Sequence, residues 1–383
     1  MHISIPLAEP LKISDLTYWK YFGTESVLLL SLAYLAQQKN TRPIRIGLAG
    51  LAYVVGWQLS GGFVFKDPAH GFCNYLVGLL GVYLFLLIPR LALLSEPYYH
   101  PTPCPPSTTI DLLINPPLTG WAPTPYFTPP RTGKKPFRSA AKHLVVSLRN
   151  ASILVGICAL AAPYPGFTQT EGFSLFGVMS GQKVIWLPGF IQPLDERFVA
   201  LSITAFFGFC VYLFVEALYH QAASILISLG WPVSSFGEIF EKPWMASSVH
   251  EFWGKRWHPV FTPTFHFYSR LLPSSLKPVM IFLISGLIHD VGLLPLTKDT
   301  IYPSYITGFF VLQAVPLVSE RLFGEMTGKR VGGWSGRIWV WTWMILSGCR
   351  LVEGWSKCGV SAKAVKTVLE FMGLLHVQPE GPP

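Results

Sequence analysis

His289 and Asp290 end the apolar run FLISGLIHD (Phe282–Asp290), and His258 closes the aromatic, basic segment SVHEFWGKRWH (Ser248–His258). Ionisable groups inside a membrane span are costly and mark functional sites. A neutral imidazole at the position of His289 can take a proton from a hydroxyl, which is general-base chemistry. A histidine that only hydrogen-bonds between two helices would have the same setting. Asp290 follows directly, so on a helix its side chain points about 100° away from that of His289. The two do not form a simple dyad, and Asp290 is a candidate anchor for a neighbouring helix. In the upstream segment Phe252, Trp253 and Trp257 make a face suited to a membrane interface. Lys255 and Arg256 lie between them and can meet phosphates, either of a ligand or of lipid headgroups. His258, just before Pro259, is a second catalytic candidate or an interfacial cap. His250 and His266 are weaker candidates. Glu216, Glu320 and Glu353 lie near span ends, where water or a neighbouring helix is their expected contact.

These residues need a membrane scaffold. Of 383 residues, 51% are hydrophobic and only 13% charged, against about a quarter charged in soluble domains. The apolar residues fall into blocks of roughly the twenty residues that cross a bilayer core as helix. The expected fold is an all-α, polytopic transmembrane helical bundle of eight spans, with seven to nine possible. They are Leu16–Gln37, Ile44–Phe65, Phe72–Leu93, His143–Tyr164, Phe198–Glu216, Lys277–Leu296, Tyr305–Val318 and Ile338–Glu353. Ala217–Gly230 is too short to span alone and reads as interfacial or re-entrant. The N-terminus lacks the basic region and cleavage site of a signal peptide, so the first span is expected to do the targeting.

Charge sets the orientation. The net charge of +9 fits topology better than nucleic acid. Loop one holds Lys39, Arg42 and Arg45; loop three Arg131, Lys134, Lys135, Arg138 and Lys142; loop five Lys242, Lys255, Arg256 and Arg270; loop seven Arg321, Lys329, Arg330 and Arg337. The alternate loops hold few. The positive-inside rule then puts the odd loops in the cytosol and both termini in the lumen. Lys357, Lys363 and Lys366 in the tail fit this less well, and a ninth span or a re-entrant segment would reverse the tail.

The chain reads as a single membrane domain, residues 1–383, without an internal repeat. Residues 95–142 form a proline-rich loop, 165–197 a second long loop, 231–276 the aromatic and basic motif loop, and 356–383 a tail whose polar, proline-rich end is expected to fray. The six cysteines, Cys73, Cys104, Cys158, Cys210, Cys349 and Cys358, contain no CxxC pair, so no zinc or redox signal is present. Asn150-Ala-Ser152 matches a glycosylation sequon but begins a span on the cytosolic side, where it is expected to stay unmodified.

Taken together, Ser248-Val-His-Glu-Phe252-Trp253-Gly-Lys-Arg256-Trp257-His258 and Ser285-Gly286-Leu-Ile-His289-Asp290 resemble the membrane-bound O-acyltransferases, and most nearly their wax-synthase-like branch. DLLINPPLTGW (Asp111–Trp121) and GRIWVWTWMILSGCRLVEGW (Gly336–Trp355) extend the resemblance to roughly residues 109–355. His250 stands where the branch usually has arginine, and Pro117-Leu118 replace a common Arg-Gly. The resemblance implies a helical enzyme of the endoplasmic reticulum with an internal substrate tunnel. Its co-substrate would be acyl-CoA, with no tightly bound cofactor and no metal. Lys255, Arg256, Trp253 and Trp257 would bind the CoA. His289 would act as the base, and His258, where many relatives have Asn, would orient the thioester or stabilise the oxyanion.

Compact members of this branch resemble acetyltransferases of fungal biosynthetic clusters. That favours an acetyl group carried to a terpenoid or meroterpenoid alcohol in secondary metabolism over a long-chain wax or sterol ester. The partners are then acyl-CoA, a lipophilic alcohol and the lipid bilayer, with no nucleic acid; the oligomeric state is open. A proton-coupled transporter would also suit an intramembrane histidine, but no inverted repeat is visible. An integral terpene cyclase would need carboxylates within spans, whereas the acidic residues here mostly sit at span ends, Asp290 apart. The charge pattern gives a direct test of orientation: Lys255→Cys should react with an impermeant maleimide on intact microsomes. Labelling only after permeabilisation would invert the topology.

Overall fold

The computed structural model describes residues 3–4, 16–62, 71–99, 107–114, 121, 136–162, 195–270, 272–297 and 300–373. The glycosylation sequon and the motif loop, residue 271 apart, lie within this set. Cys104, Pro117-Leu118, most of the proline-rich loop, the loop after the fourth span and the chain's end lie outside it.

Each segment expected to span is mainly helical over its described residues. The chain runs through α1 (Leu16–Leu35), α2 (Arg42–Gly62), α3 (Gly71–Leu93), the short α4 (Thr108–Ile114), α5 (Pro136–Ala161) and α6 (Glu196–Ser228). After the motif loop come α7 (Thr262–Ser269), α8 (Lys277–Gly292), α9 (Ile306–Leu312), α10 (Ala314–Thr327), α11 (Gly333–Lys357) and α12 (Val360–Phe371). Two short strands, β1 (Ile3–Ser4) and β2 (Thr300–Ile301), pair antiparallel. Among the described residues five stretches are long and apolar enough to cross a membrane: Phe72–Leu93, Pro136–Ala161, Glu196–Ser228, Lys277–Thr297 and Ile306–Thr327.

Three expectations need correction. Ala217–Gly230 is not a separate interfacial piece, because α6 runs unbroken for 33 residues to Ser228. No proline interrupts it, and Gly230, at φ 97°, follows its end. Its second half lies along α5, where Ser147 Oγ donates to Ala217 O at 2.9 Å and Ser224 Oγ to Ala140 O at 3.0 Å. At about 1.5 Å per residue the helix outruns a ~30 Å hydrocarbon core. The segment 356–383 is not all tail: α12 packs against the bundle, and Lys363 Nζ donates to Leu296 O at 2.9 Å, while the proline-rich end expected to fray lies outside the described residues. The expected seventh span is two helices, with Gln313 at the junction. Pro316, which has no N–H to give, begins the second.

The glutamates also find protein. Glu216 accepts from His220 Nε2 at 2.9 Å, and Glu353 lies 3.2 Å from Lys357. In the N-terminal half, Leu32, Leu87, Leu91 and Trp121 form one core. Arg45 donates to the carbonyls of Leu91 and Leu94 at the C-terminal end of α3, where a cation offsets the helix dipole. Buried Asp111 accepts from Trp121 Nε1 at 2.7 Å and from Trp231 Nε1 at 2.9 Å. That tie fastens the front of the motif loop to the N-terminal half.

Close backbone approach positions α8. A Cβ at Gly286 would come within 2.7 Å of Thr307 Cα on α9, and one at Gly78 of α3 within 2.1 Å of Gly292 O. Small residues let apolar helices approach this closely. Gly286→Ala should therefore lower stability by about 1–3 kcal/mol through overpacking, read as a fall in the thermal midpoint of the purified protein. Gly23→Ala, in open space, serves as the control. Equal midpoints for the two variants would show that the α8–α9 contact does not depend on Gly286.

Candidate functional site

The motif loop is built by local hydrogen bonding. Ser248 begins a helical turn and its Oγ accepts from Glu251 N at 3.0 Å. Glu251 reaches back, its Oε2 accepting from Ser247 N at 2.7 Å and Ser247 Oγ at 2.9 Å. This is a variant of the S-x-x-E capping box. Residues Phe252–Arg256 continue as a π-helical turn, a form concentrated at functional sites. Arg256 closes the loop: Nε and Nη2 donate to Glu251 Oε1 at 2.8 and 2.6 Å, and Nη1 to Glu241 O at 2.8 Å. Burial pushes the Glu251 carboxyl up, but the hydrogen bonds from Ser247 and Arg256 outweigh it and hold the group below its ordinary value.

The loop is docked on α10 and α11 by a carboxylate that sequence reading left at a span end. Glu320 accepts from Val249 N at 2.6 Å, His250 N at 3.0 Å and Trp339 Nε1 at 2.9 Å. It thus supplies from another helix the acceptor that a helix start needs.

The same construction delivers His258. Its φ of 33° and ψ of 59° are left-handed, costly for a non-glycine residue and doubly so before proline. Rings surround it: Phe261 at 5.4 Å, Trp257 at 5.7 Å, Phe240 at 6.3 Å and Trp253 at 6.4 Å between centroids. Burial pushes its imidazole down to about 3, with a smaller lowering from His289 and a partial offset from a hydrogen bond to its own backbone. At neutral pH it is an uncharged ring whose one N–H faces its own backbone carbonyl.

His289 reaches the same place from α8. Its Nδ1 lies 2.7 Å from Ser285 O, one turn back. A carbonyl oxygen only accepts, so Nδ1 carries the proton and Nε2 of the neutral ring is the acceptor. Phe310 stacks on the imidazole at 4.5 Å and 30°. Asp290, fully buried, holds α9 in place: its Oδ2 accepts from Thr307 N at 3.0 Å and from Thr307 Oγ1. So Asp290 is the helix anchor, and Ser285 is a tautomer-setting partner.

His258 and His289 both line one cavity of about 440 Å³, together with Trp253, Trp257, Phe310 and Trp355. Its walls are almost wholly apolar and its volume suits a drug-sized molecule. Of the four residues expected to bind cofactor, Trp253 and Trp257 are in this wall. Lys255 is outside it and exposed. Arg256 is also outside, and any phosphate would have to compete with Glu251 for its guanidinium. His250 and His266 are exposed and do not line the cavity. Among the described residues no cluster of His, Cys, Asp and Glu could hold a metal. The described cysteines, 73, 158, 210, 349 and 358, are free thiols.

Sequence reading missed Gln313. It is fully buried, and its Oε1 accepts from Trp343 Nε1 at 3.0 Å and Trp253 Nε1 at 3.3 Å. Its Nε2 donates to Ser347 Oγ at 3.1 Å and Phe309 O at 3.2 Å. Trp253 in turn lies between His258 and Phe310, at 6.4 and 6.3 Å. One amide at the α9–α10 junction therefore fixes the ring that separates the two histidines' surroundings. The only available sequence signal was a lone glutamine inside an apolar span.

Residues 231–312 match the model of the membrane bound O-acyl transferase family. An acetyltransferase of Arthrinium sp is 30% identical over 183 residues, 40% of this chain and 41% of that protein. A long-chain-alcohol O-fatty-acyltransferase of Simmondsia chinensis is 26% identical over 220 residues, 50% of this chain and 61% of the relative. A probable long-chain-alcohol O-fatty-acyltransferase of Arabidopsis thaliana is 30% identical over 105 residues, 23% of this chain and 30% of the relative. The chain thus spans less than two thirds of the length of each of these relatives. The family resemblance read from the two motifs is borne out.

The Gln313 network makes a prediction that needs no substrate. In a double-mutant cycle on thermal stability, Gln313→Leu and Trp253→Phe should couple by ~0.5–3 kcal/mol. Gln313→Leu and the distant Trp19→Phe should be additive. Additivity in both cycles would mean that the amide does not hold Trp253.

Proposed function

We propose that this chain, which its residues 231–312 make a relative of the membrane bound O-acyl transferase family, transfers an acyl group from acyl-CoA to the hydroxyl of a lipophilic alcohol. The observation that carries the reading is the pair of histidines on one apolar cavity, with the Nδ1 proton of His289 committed to Ser285 O.

The chemistry follows from that arrangement. Nε2 of His289 takes the hydroxyl proton as the alcohol oxygen attacks the thioester carbonyl. His258 turns its one N–H from its own backbone carbonyl to the developing oxyanion, or to the thioester carbonyl that precedes it. The carbon–sulfur bond then breaks, and the CoA thiolate takes the proton back from His289. The ester stays, the thiol leaves, and the enzyme ends as it began. No covalent enzyme intermediate and no metal are required. Lys255, exposed beside the loop, is proposed to meet CoA phosphates at the cytosolic face. Arg256 is proposed to shape the loop that presents it.

For the acyl group we favour acetyl, delivered to a terpenoid or meroterpenoid alcohol of secondary metabolism in the endoplasmic reticulum. The similarity to an acetyltransferase supports this. The second reading, a long-chain ester synthase, is supported by the Simmondsia chinensis relative, which covers more of this chain. The eight-span count, with loop five in the cytosol, belongs to the same proposal.

Microsomes carrying the chain, given labelled acetyl-CoA or palmitoyl-CoA and a lipophilic alcohol, should form labelled ester. His289→Ala should reduce ester formation by ~10²–10⁴-fold at equal expression, the usual contribution of a general base. His258→Asn should retain more activity than His258→Ala, because the amide still donates a hydrogen bond. A His289→Ala enzyme within tenfold of wild type would remove His289 from the base role. Equal loss in both His258 variants would remove the oxyanion role.

A further inference from the structure

Several helical glycines have an evident packing reason. A Cβ at Gly78, Gly286, Gly292, Gly336 or Gly354 would come within 2.0–2.8 Å of a neighbouring element. Gly208 has no such reason. It lies inside the 33-residue α6, where glycine costs about 1 kcal/mol relative to alanine. A Cβ there would meet nothing within 4 Å, yet Gly208 lines the cavity that holds the two histidines.

The surroundings of Gly208 show what that space is for. Phe209, Trp244 and Trp341 also line the cavity, and they are 48%, 46% and 46% exposed. Tyr212, another wall residue, sets its ring edge-on to Trp244 at 5.6 Å, and Trp341 Nε1 donates to Trp244 O at 3.3 Å. The cavity therefore reaches the outer surface beside Gly208, within an aromatic frame. Twelve residues into α6, Gly208 is ~18 Å along the helix, well inside a ~30 Å hydrocarbon core. A phosphate-bearing carrier cannot be drawn through hydrocarbon at that depth without a large desolvation cost, whereas an apolar alcohol meets no such cost.

We infer that Gly208 is a specificity-determining residue: its missing side chain sets the width through which the apolar body of the acceptor alcohol reaches His258 and His289. This rests on the O-acyltransfer reading for the name of the occupant. A bulky or long alcohol would lie against Gly208, while the acyl-CoA would not.

The test uses the full chain in lipid nanodiscs. Leucine is a better helix former than glycine, and nothing stands within 4 Å of the new Cβ, so Gly208→Leu should fold, with Gly208→Ala as a graded intermediate. Two readouts are compared: binding of tritiated hexadecanol, and the ratio of acetyl transfer to hexadecanol over butanol. Gly208→Leu should lower that ratio by ~10-fold or more, the scale on which apolar pockets discriminate by size. It should weaken hexadecanol binding in parallel and leave the KM for acetyl-CoA unchanged. An unchanged ratio with normal turnover would overturn the inference alone. A change in preference for acyl-CoA chain length, with the alcohol ratio constant, would also overturn it. Weakened hexadecanol binding without transfer by wild type from any acyl-CoA would support the passage and overturn the O-acyltransfer reading instead.

Discussion

Asp290 is a carboxylate with no exposed surface in a chain built mostly of apolar residues. A buried carboxyl must find hydrogen-bond partners or it costs several kcal/mol. Asp290 meets Thr307, through both its backbone N–H and its hydroxyl, at the first turn of α9. That bond can form only because Gly286 lets α9 come to backbone distance. Once α9 is fixed there, Phe310 is set on the face of His289 and Gln313 is carried into the bundle. The order Ser-Gly-x-x-His-Asp thus has a separate physical task at each named position: Ser285 O orients the imidazole, Gly286 admits the neighbour, His289 faces the cavity and Asp290 holds the neighbour.

The second motif meets the opposite problem. A loop between helices must hold His258 in a backbone conformation it would not adopt alone. The strain is offset by a network in which few donors are left over. Arg256 is bonded to Glu251, Glu251 to Ser247, and the first N–H groups of the turn to Glu320. A cation in such a motif therefore has two physical uses. The exposed Lys255 can only address solvent or a ligand, whereas Arg256 is already an internal strut. Residue type alone does not separate these uses, because both are basic, both sit in the same loop, and only the partners differ.

The same distinction explains what was legible in the sequence. The long apolar helices were, because some twenty apolar residues have one economical solution in a bilayer; α3 ends at Leu93 as expected. The two motifs were, because polar residues inside or beside apolar runs must be accounted for. Asp290 was legible as an anchor because its side chain cannot share the direction of His289. The continuation of α6 past Glu216 was not, since a membrane-length rule stops counting where a tertiary contact with α5 keeps the helix going. α12 was not, because twelve residues after a turn at Gly359 look like a tail until Lys363 finds Leu296 O. Gln313 and Glu320 were not, because a single glutamine or glutamate names no partner; their indole and amide donors are 19 to 71 residues away in sequence.

Charge placement ties these pieces to chemistry. An apolar cavity makes poor surroundings for a full charge and good ones for a proton that moves between neighbours. His258 stays neutral there because burial disfavours its charged form. His289 is held in one tautomer by a backbone carbonyl. The two imidazoles proposed to react are therefore dipoles aimed into an apolar space, while the cations are kept out of it: Arg256 in its loop and Lys255 in solvent. A reaction that creates charge only transiently, as attack of a hydroxyl on a thioester does, gains most from such a site. One that must bring a charged substrate inside gains least. The cavity's apolar wall and its uncharged histidines thus suit the proposed acyl transfer between two neutral reacting ends, in which the charged part of the donor would stay at the surface.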